Sequence, residues 1–321
     1  MRRALPLVAL LIAFGAQAQG ETALDYPVKP IRIVIGFTPG GGPDITARYI
    51  AQRLGELLKQ QVLVKHRPGA GGTIAAGMVA RAAPDGYTLL SVSSAHAIAT
   101  AVYAKLPYDT GDLSGITQTG SSRYVLVVAP SVGMTSLKDL VAAARAKPGQ
   151  IYFSSAGVGS GTHFAAEIFR SMAGIEAVHV PFKGIPEALG EVMAGRIHFT
   201  VLPVANVLNQ VKAGKLLGLG VSSPERDALL PDVPSAEEAG VPGYRVDAWY
   251  GLLTSAAVPK PIVAKLNREI TAILSEPELK QRWAAIGIDP RPTTPEGFDR
   301  LIRDEIGVLT KVARAANIRA D

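Results

Sequence analysis

The sequence predicts an α/β fold of two facing domains, and three observations carry that expectation. Apolar strand-like runs alternate with segments of helical period, a matching strand-loop-helix unit occurs in each half, and no repeat or low-complexity tract interrupts the pattern. The 321 residues, 48% of them hydrophobic, are enough for two ordinary cores.

In the first half the runs Ile31 to Phe37, Gln61 to Lys65 and Thr88 to Ser93 read as strands. Between them, Asp44 to Lys59 and Thr73 to Ala82 read as helices, and a further helical stretch surrounds Ala97. In the first helix Ile45, Tyr49, Ile50, Leu54, Leu57 and Leu58 recur at three- and four-residue steps, with Arg48, Arg53 and Lys59 interleaved. Pro43 suits its first turn, where no intrahelical N–H is needed. The second unit has strand Gln150 to Ser155, loop Ala156 to Gly161 and helix Thr162 to Ala173. Tyr124 to Ala129 and Asp247 to Leu253 read as the strands by which the chain crosses between domains, with a helix near Leu137 to Ala146 after the first. The expected division is residues 26–125 with 247–321 as one domain and 126–246 as the other, an arrangement suited to hinge motion.

Met1-Arg2-Arg3, the apolar run Ala4 to Gly15 and Ala16-Gln17-Ala18 have the three-part layout of a secretory signal peptide spanning residues 1–18. No later stretch reaches the ~18 apolar residues of a transmembrane helix, so an exported, soluble, periplasmic monomer is expected. With no cysteine there is no disulfide, no thiolate ligand and no lipid acceptor. Without Arg2 and Arg3 the 33 basic residues become 31 against 27 acidic, a net charge of +4. Those charges are scattered and aromatics are few, which excludes a nucleic-acid footprint and a polybasic membrane patch. A mild positive field favours anionic ligands.

Three loops carry the candidate site. Thr38-Pro39-Gly40-Gly41-Gly42-Pro43-Asp44 lies between a strand and a helix start, where glycines let backbone N–H groups approach an anion; a plain turn is the competing reading. Thr38, Gly40, Gly41, Gly42 and Asp44 are its candidate ligand residues. The sequence lacks the last glycine of a dinucleotide fingerprint and the Gly-Lys-Ser/Thr of a phosphate loop. The second loop offers Ser155, Ala156, Gly157, Gly159, Ser160, Gly161, Thr162 and His163 in the same context, with Ser160 or Thr162 as an ordinary helix cap in the alternative. It lacks the G-x-S-x-G elbow of α/β-hydrolases. The third loop contributes Ser93 and His96 at a strand end. Pro68 to Thr73 reads as a turn, Trp249 and Tyr250 as hinge packing with lining of the cleft as the alternative, and the histidines show no metal spacing. No activated nucleophile, metal cluster or cofactor signature is found, so neither cofactor nor catalysis is expected.

Tyr26-Pro27-x-Lys29-Pro30-Ile31-Arg32, Pro39-Gly40-Gly41-Gly42-x-Asp44, Arg67-Pro68-Gly69-Ala70-Gly71-Gly72 and Ala83-Pro84-Asp85-Gly86-Tyr87-Thr88-Leu89-Leu90 resemble the Bug-type extracytoplasmic solute receptors of tripartite tricarboxylate transporters. The resemblance continues through Leu106-Pro107-Tyr108-Asp109, Ser155-Ala156-Gly157, His179-Val180-Pro181-Phe182-Lys183-Gly184, Leu230-Pro231-Asp232-Val233-Pro234 and Glu238-Ala239-Gly240-x-Pro242-Gly243-Tyr244. It implies a Venus-flytrap fold in which the first two loops grip a carboxylate through backbone N–H groups and waters. It also implies transporter membrane subunits as partners and a dicarboxylate, amino acid or aromatic acid as ligand; signalling to a membrane sensor kinase is the alternative role. The chain departs from the family at His96-Ala97-Ile98-Ala99-Thr100, where a His-x-Ile-Asn-Pro-like stretch is common.

Overall fold

The computed structural model describes residues 25–315 together with 318 and 319. The expected signal peptide lies outside the described residues. In chain order the elements are β1 (Ile31–Ile35), α1 (Gly42–Leu58), β2 (Val62–His66), α2 (Thr73–Ala80), β3 (Thr88–Ser93), α3 (Ala95–Val102) and β4 (Leu113–Val128). The second lobe adds α4 (Leu137–Ala146), β5 (Tyr152–Ser155), α5 (Gly161–Ala173), β6 (Val178–Pro181), α6 (Ile185–Met193), β7 (Phe199–Pro203), α7 (Val204–Lys212) and β8 (Leu217–Val221). The chain then returns through β9 (Asp247–Ser255), α8 (Lys260–Ser275), α9 (Pro277–Ala284), β10 (Asp289–Pro290) and α10 (Pro295–Ala315).

The two βαβαβ units fold alike. Strands run in the order β2-β1-β3 in one lobe and β6-β5-β7 in the other, parallel within each unit. In the middle strand β1 four of five residues are buried, while its neighbour β2 alternates between half-buried and exposed positions, as an edge strand does. The helices bury one stripe each; α1 sets Ala47, Ile50, Ala51 and Leu54 against the sheet.

The lobes are joined by the long antiparallel strands β4 and β9. From Leu113 to Arg123, β4 pairs with β9, and β9 pairs in turn with β3. From Tyr124 onward, β4 pairs with β7 and β8 of the second lobe. The partner thus changes between Arg123 and Tyr124, opposite Asp247 at the start of β9. The sequence pattern showed only the apolar second part of β4. Its first part carries Thr117, Gln118, Thr119 and Ser122, buried polar residues that disguise a strand. Distant helices and loops supply partners for part of this stretch, though not for the Thr119 hydroxyl: Thr117 Oγ1 donates to the Thr293 carbonyl at 3.0 Å, Thr293 Oγ1 accepts from the Gln118 N–H at 3.0 Å, and Asn267 Nδ2 donates to the Ile116 carbonyl at 2.7 Å.

Candidate ligand-binding cleft

The N-termini of α1 and α5 approach one cavity from opposite lobes. Phe37, Thr38, Gly41, Gly42, Pro43 and Ser93 line it from the first lobe, and Ala156, Ser160, Gly161, Thr162, Ile185 and Pro203 from the second. Tyr124, Ala248 and Tyr250 on the crossing strands complete it. The cavity is small, about 40 Å³, and none of these lining residues is charged. The first turn of an α-helix leaves backbone N–H groups without intrahelical acceptors and carries a partial positive charge. Two such ends facing an uncharged pocket have the field and the donors that suit a small anionic group.

Close packing demands glycine at both helix starts. A β-carbon on Gly42 would overlap the Tyr250 ring, and one on Gly161 would come within 2.5 Å of the Tyr124 hydroxyl and 2.7 Å of Ser94 Oγ. Burial pushes both phenols well above the usual tyrosine range, so they remain neutral hydrogen-bond donors.

Of the residues the sequence singled out, Thr38, Gly41, Gly42, Ser93, Ala156, Ser160, Gly161 and Thr162 come together around this cavity. Gly40, Asp44, His96, Ser155, Gly157, Gly159 and His163 are not among its lining residues. Asp44 is buried, and both its oxygens are engaged: Oδ2 accepts from the Gly40 N–H at 2.9 Å, and Oδ1 lies 2.9 Å from Arg48 Nε and 2.8 Å from His66 Nε2. Burial opposes the Asp44 charge, yet the hydrogen bonds from Arg48, Gly40 and His66 outweigh it and hold the carboxyl below its ordinary range. Asp44 therefore braces the glycine loop and is not among the residues that line this cavity. Gly40 is spent in the same brace: its N–H goes to Asp44, and its carbonyl accepts from Asn206 Nδ2 of the second lobe at 2.8 Å.

The second loop is organised in the same way. Ser160 caps α5 by accepting from the His163 N–H at 3.1 Å, while Thr162 Oγ1 accepts from the Ala156 N–H at 2.9 Å. Ser155 Oγ meets His179 Nε2 at 2.6 Å, and the Gly159 N–H reaches His163 Nδ1 at 3.3 Å. His163 and His179 are stacked, with ring centroids 3.9 Å apart, and burial drives them down to about 4 and about 3. Ser155, Gly159 and His163 thus shape the loop from beneath. His96 turns into the first lobe, stacked on Tyr108 and 3.4 Å from its hydroxyl; burial lowers it to about 4. It does not line the interlobe cavity, because Ala95 to Val102 coil into α3 directly after β3 and carry its ring away.

A second, more open cavity of about 560 Å³ adjoins the first past Phe37 and Ala156. Gly157 lines it, as do Gly69 to Gly71 of the segment the sequence showed only as a turn, with Tyr103, Phe182, Lys183 and Glu187. Sequence periodicity could not have found Tyr124, Phe37 or Ile185 as lining residues, since apolar patterning gives a buried side chain no destination; for Tyr250, lining of the cleft is the alternative to hinge packing. The lobes touch across the cleft: Thr38 Oγ1 lies 3.2 Å from Glu187 Oε2, and the Tyr103 hydroxyl donates to the Val158 carbonyl at 3.4 Å.

Comparisons with known proteins agree with this architecture. The model of the family described as tripartite tricarboxylate transporter family receptor matches residues 46–318. BugT of Bordetella pertussis is 32% identical over 317 residues, 98% of this chain and 97% of that protein. A Pseudomonas protein from the tcbD-tcbE intergenic region is 33% identical over 302 residues, 93% of this chain and 90% of that protein. Among solved structures, an R. palustris protein with adipate superposes with TM-score 0.88 at 32% identity, covering 92% of this chain and 99% of that one. MatC from Rhodopseudomonas palustris, with bound malate, superposes with TM-score 0.85 at 29% identity, covering 89% of this chain and 99% of that one. With the family model matched over most of its length and a shared two-lobed fold around one cleft, this chain belongs to the tripartite tricarboxylate transporter family of solute-binding receptors.

Proposed function

We propose that the protein is a periplasmic receptor that captures a small organic carboxylate and delivers it to the membrane subunits of a tripartite transporter, without chemically changing it. The convergence of two helix N-termini on an uncharged cavity carries this reading. A carboxylate matches the donors there: its two oxygens accept several N–H or O–H bonds, and it needs no counter-charge when helix ends supply the field. The inner cavity has room for a few water-sized groups, about one carboxylate and its neighbouring carbons, and the adjoining cavity is large enough for the rest of a longer acid. Adipate and malate, bound by two similar structures, are acids of this kind. Among the described residues no helix is long and apolar enough to cross a membrane.

In this reading the lobes pivot where β4 changes partner, at Arg123 and Tyr124, and where β9 begins, at Asp247. Closure brings the two helix ends onto one ligand and expels water from it. Thermal-shift screening of mono- and dicarboxylates against neutral sugars and organic cations tests the proposal. Stabilisation by acids alone is the expected outcome, and stabilisation by sugars alone would overturn it.

A further inference from the structure

Tyr250 is 2% exposed, and its hydroxyl is one of few buried polar atoms among the described residues with no hydrogen-bond partner. Ser122 is close enough to act on the Tyr250 phenol as a polar neighbour, yet the two hydroxyls are not in hydrogen-bonding geometry: Ser122 Oγ donates to the Arg123 carbonyl at 3.4 Å and accepts from the Ala205 N–H at 3.5 Å. A buried, unmatched hydroxyl is unfavourable in a dry interior, so its retention calls for a partner that arrives from outside. The ring lies against Gly42 at the start of α1 and lines the interlobe cavity with Thr162 and Gly161.

We infer that the Tyr250 hydroxyl donates directly to the ligand carboxylate, and that the ligand bears no ammonium group beside that carboxylate. The inference rests on the receptor reading above and deepens it. The groups around the inner cavity are donors or already engaged: Gly42, Gly161 and Thr162 line it from the first turns of α1 and α5, where backbone N–H groups lack intrahelical acceptors, Thr162 Oγ1 accepts from the Ala156 N–H, and Thr38 Oγ1 donates to Glu187. An anion satisfies this set and the orphaned phenol together. An adjacent ammonium would need an acceptor. The carboxylate of Asp44 is closed off by Gly40, Arg48 and His66, that of Glu187 lies in the adjoining cavity with Thr38 on one oxygen, and the side chains of Ile185, Pro203 and Ala248 present carbon. Because Tyr250 sits on β9, a ligand that it holds also ties the hinge strand to both helix ends.

The test uses the mature protein and Tyr250→Phe with adipate, malate and hexanoate as probes, each paired with its α-amino counterpart: 2-aminoadipate, aspartate and norleucine. Calorimetry should show Tyr250→Phe binding the tightest acid at least tenfold more weakly, while its ligand-free melting temperature holds or rises because an unmatched hydroxyl has gone. Each amino counterpart of a bound acid should bind wild type at least tenfold more weakly than that acid. Unchanged affinity in Tyr250→Phe overturns the Tyr250 contact while the receptor reading stands, and equal binding of an amino counterpart overturns the ligand class. Should the variant also melt early, a crystal structure of the wild-type complex decides. A carboxylate oxygen within about 3.2 Å of the Tyr250 hydroxyl upholds the contact, and a ligand oxygen beyond hydrogen-bond reach overturns it. If none of the three acids binds wild type, both the receptor reading and this inference fall.

Discussion

The Tyr124 hydroxyl stands 2.5 Å from where a β-carbon on Gly161 would be, so a residue of the crossing strand occupies the space of a side chain at the start of α5. Tyr250 and Gly42 repeat the relationship in the other lobe. Each helix end is thus held open to the cavity by a tyrosine and a glycine. Gly161→Ala should force the phenol or Ser94 aside at a cost of about 1–3 kcal/mol, the usual scale of overpacking. It should also weaken acid binding more than tenfold. Urea unfolding and calorimetry measure the two effects, and native affinity in this variant would show that the close approach is not needed for binding.

Asp44→Asn should act on the loop before it acts on the ligand. The carboxylate joins Gly40, Arg48 and His66, and an amide cannot accept from all three as well. A loss of about 1–2 kcal/mol in stability is expected, the scale of one charge-assisted hydrogen bond with the exposed Arg48 arm discounted. The sign with pH follows from the lowered carboxyl: its contribution is present above the ordinary aspartate range and is lost as pH falls through the depressed folded value. Wild type should therefore lose more stability than Asp44→Asn on acidification below about pH 4.

The buried histidines make a separate prediction. Burial lowers His96 and His163 to about 4 and His179 to about 3, with the neighbouring His163 depressing His179 further. Below about pH 6.5 the unfolded chain takes up protons that the folded protein refuses. Stability should be full above that pH and should decline toward pH 4, by about 1–2 kcal/mol per buried histidine at pH 5. His96→Gln should flatten part of this decline in urea titrations at pH 7 and pH 5. An unchanged slope would mean that His96 is accessible to protons in the folded state.

Glu305 behaves in the opposite sense. Burial, with a smaller push from Asp247, raises its carboxyl to about 7, although a hydrogen bond from the Trp249 indole opposes the rise. The fold favours the protonated acid, so stability should fall as pH rises from about 4.5 to 7. Glu305→Gln should be more stable than wild type at pH 8 and about equal at pH 4. Trp249 fluorescence should titrate near neutrality in wild type and not in the variant.

Closure is testable through the contacts that bridge the cleft. Asn206 Nδ2 holds the Gly40 carbonyl at 2.8 Å and Glu187 meets Thr38 at 3.2 Å, each joining one lobe to the other. The double variant Asn206→Ala, Glu187→Ala should show a larger radius of gyration without ligand and compact when acid is added, with affinity reduced several-fold. Identical scattering curves with and without ligand would count against hinge motion.

Local sequence determined most of the elements, because their information is local. Apolar runs at Ile31 and Thr88 became β1 and β3, the periodic stretch after Pro43 became α1, and Ser160 became the cap of α5. Glycine-rich loops before helix starts also marked where an anion could be met, since positive φ at Gly40 and bare N–H groups are properties of the chain itself. Only the tertiary structure decided which residues face that meeting point. Asp44 and His96 have the chemistry of ligand residues, yet one is engaged by Arg48, Gly40 and His66 and the other, on α3, is stacked against Tyr108 inside the first lobe. Tyr124, which reads as an ordinary apolar strand position, and Tyr250, which reads as hinge packing with the cleft as its alternative, both line the cavity because β4 and β9 cross between the lobes beneath both helix ends. Hydrophobic patterning reports that a side chain is buried; where two lobes meet, the pairing of distant strands decides what it is buried against.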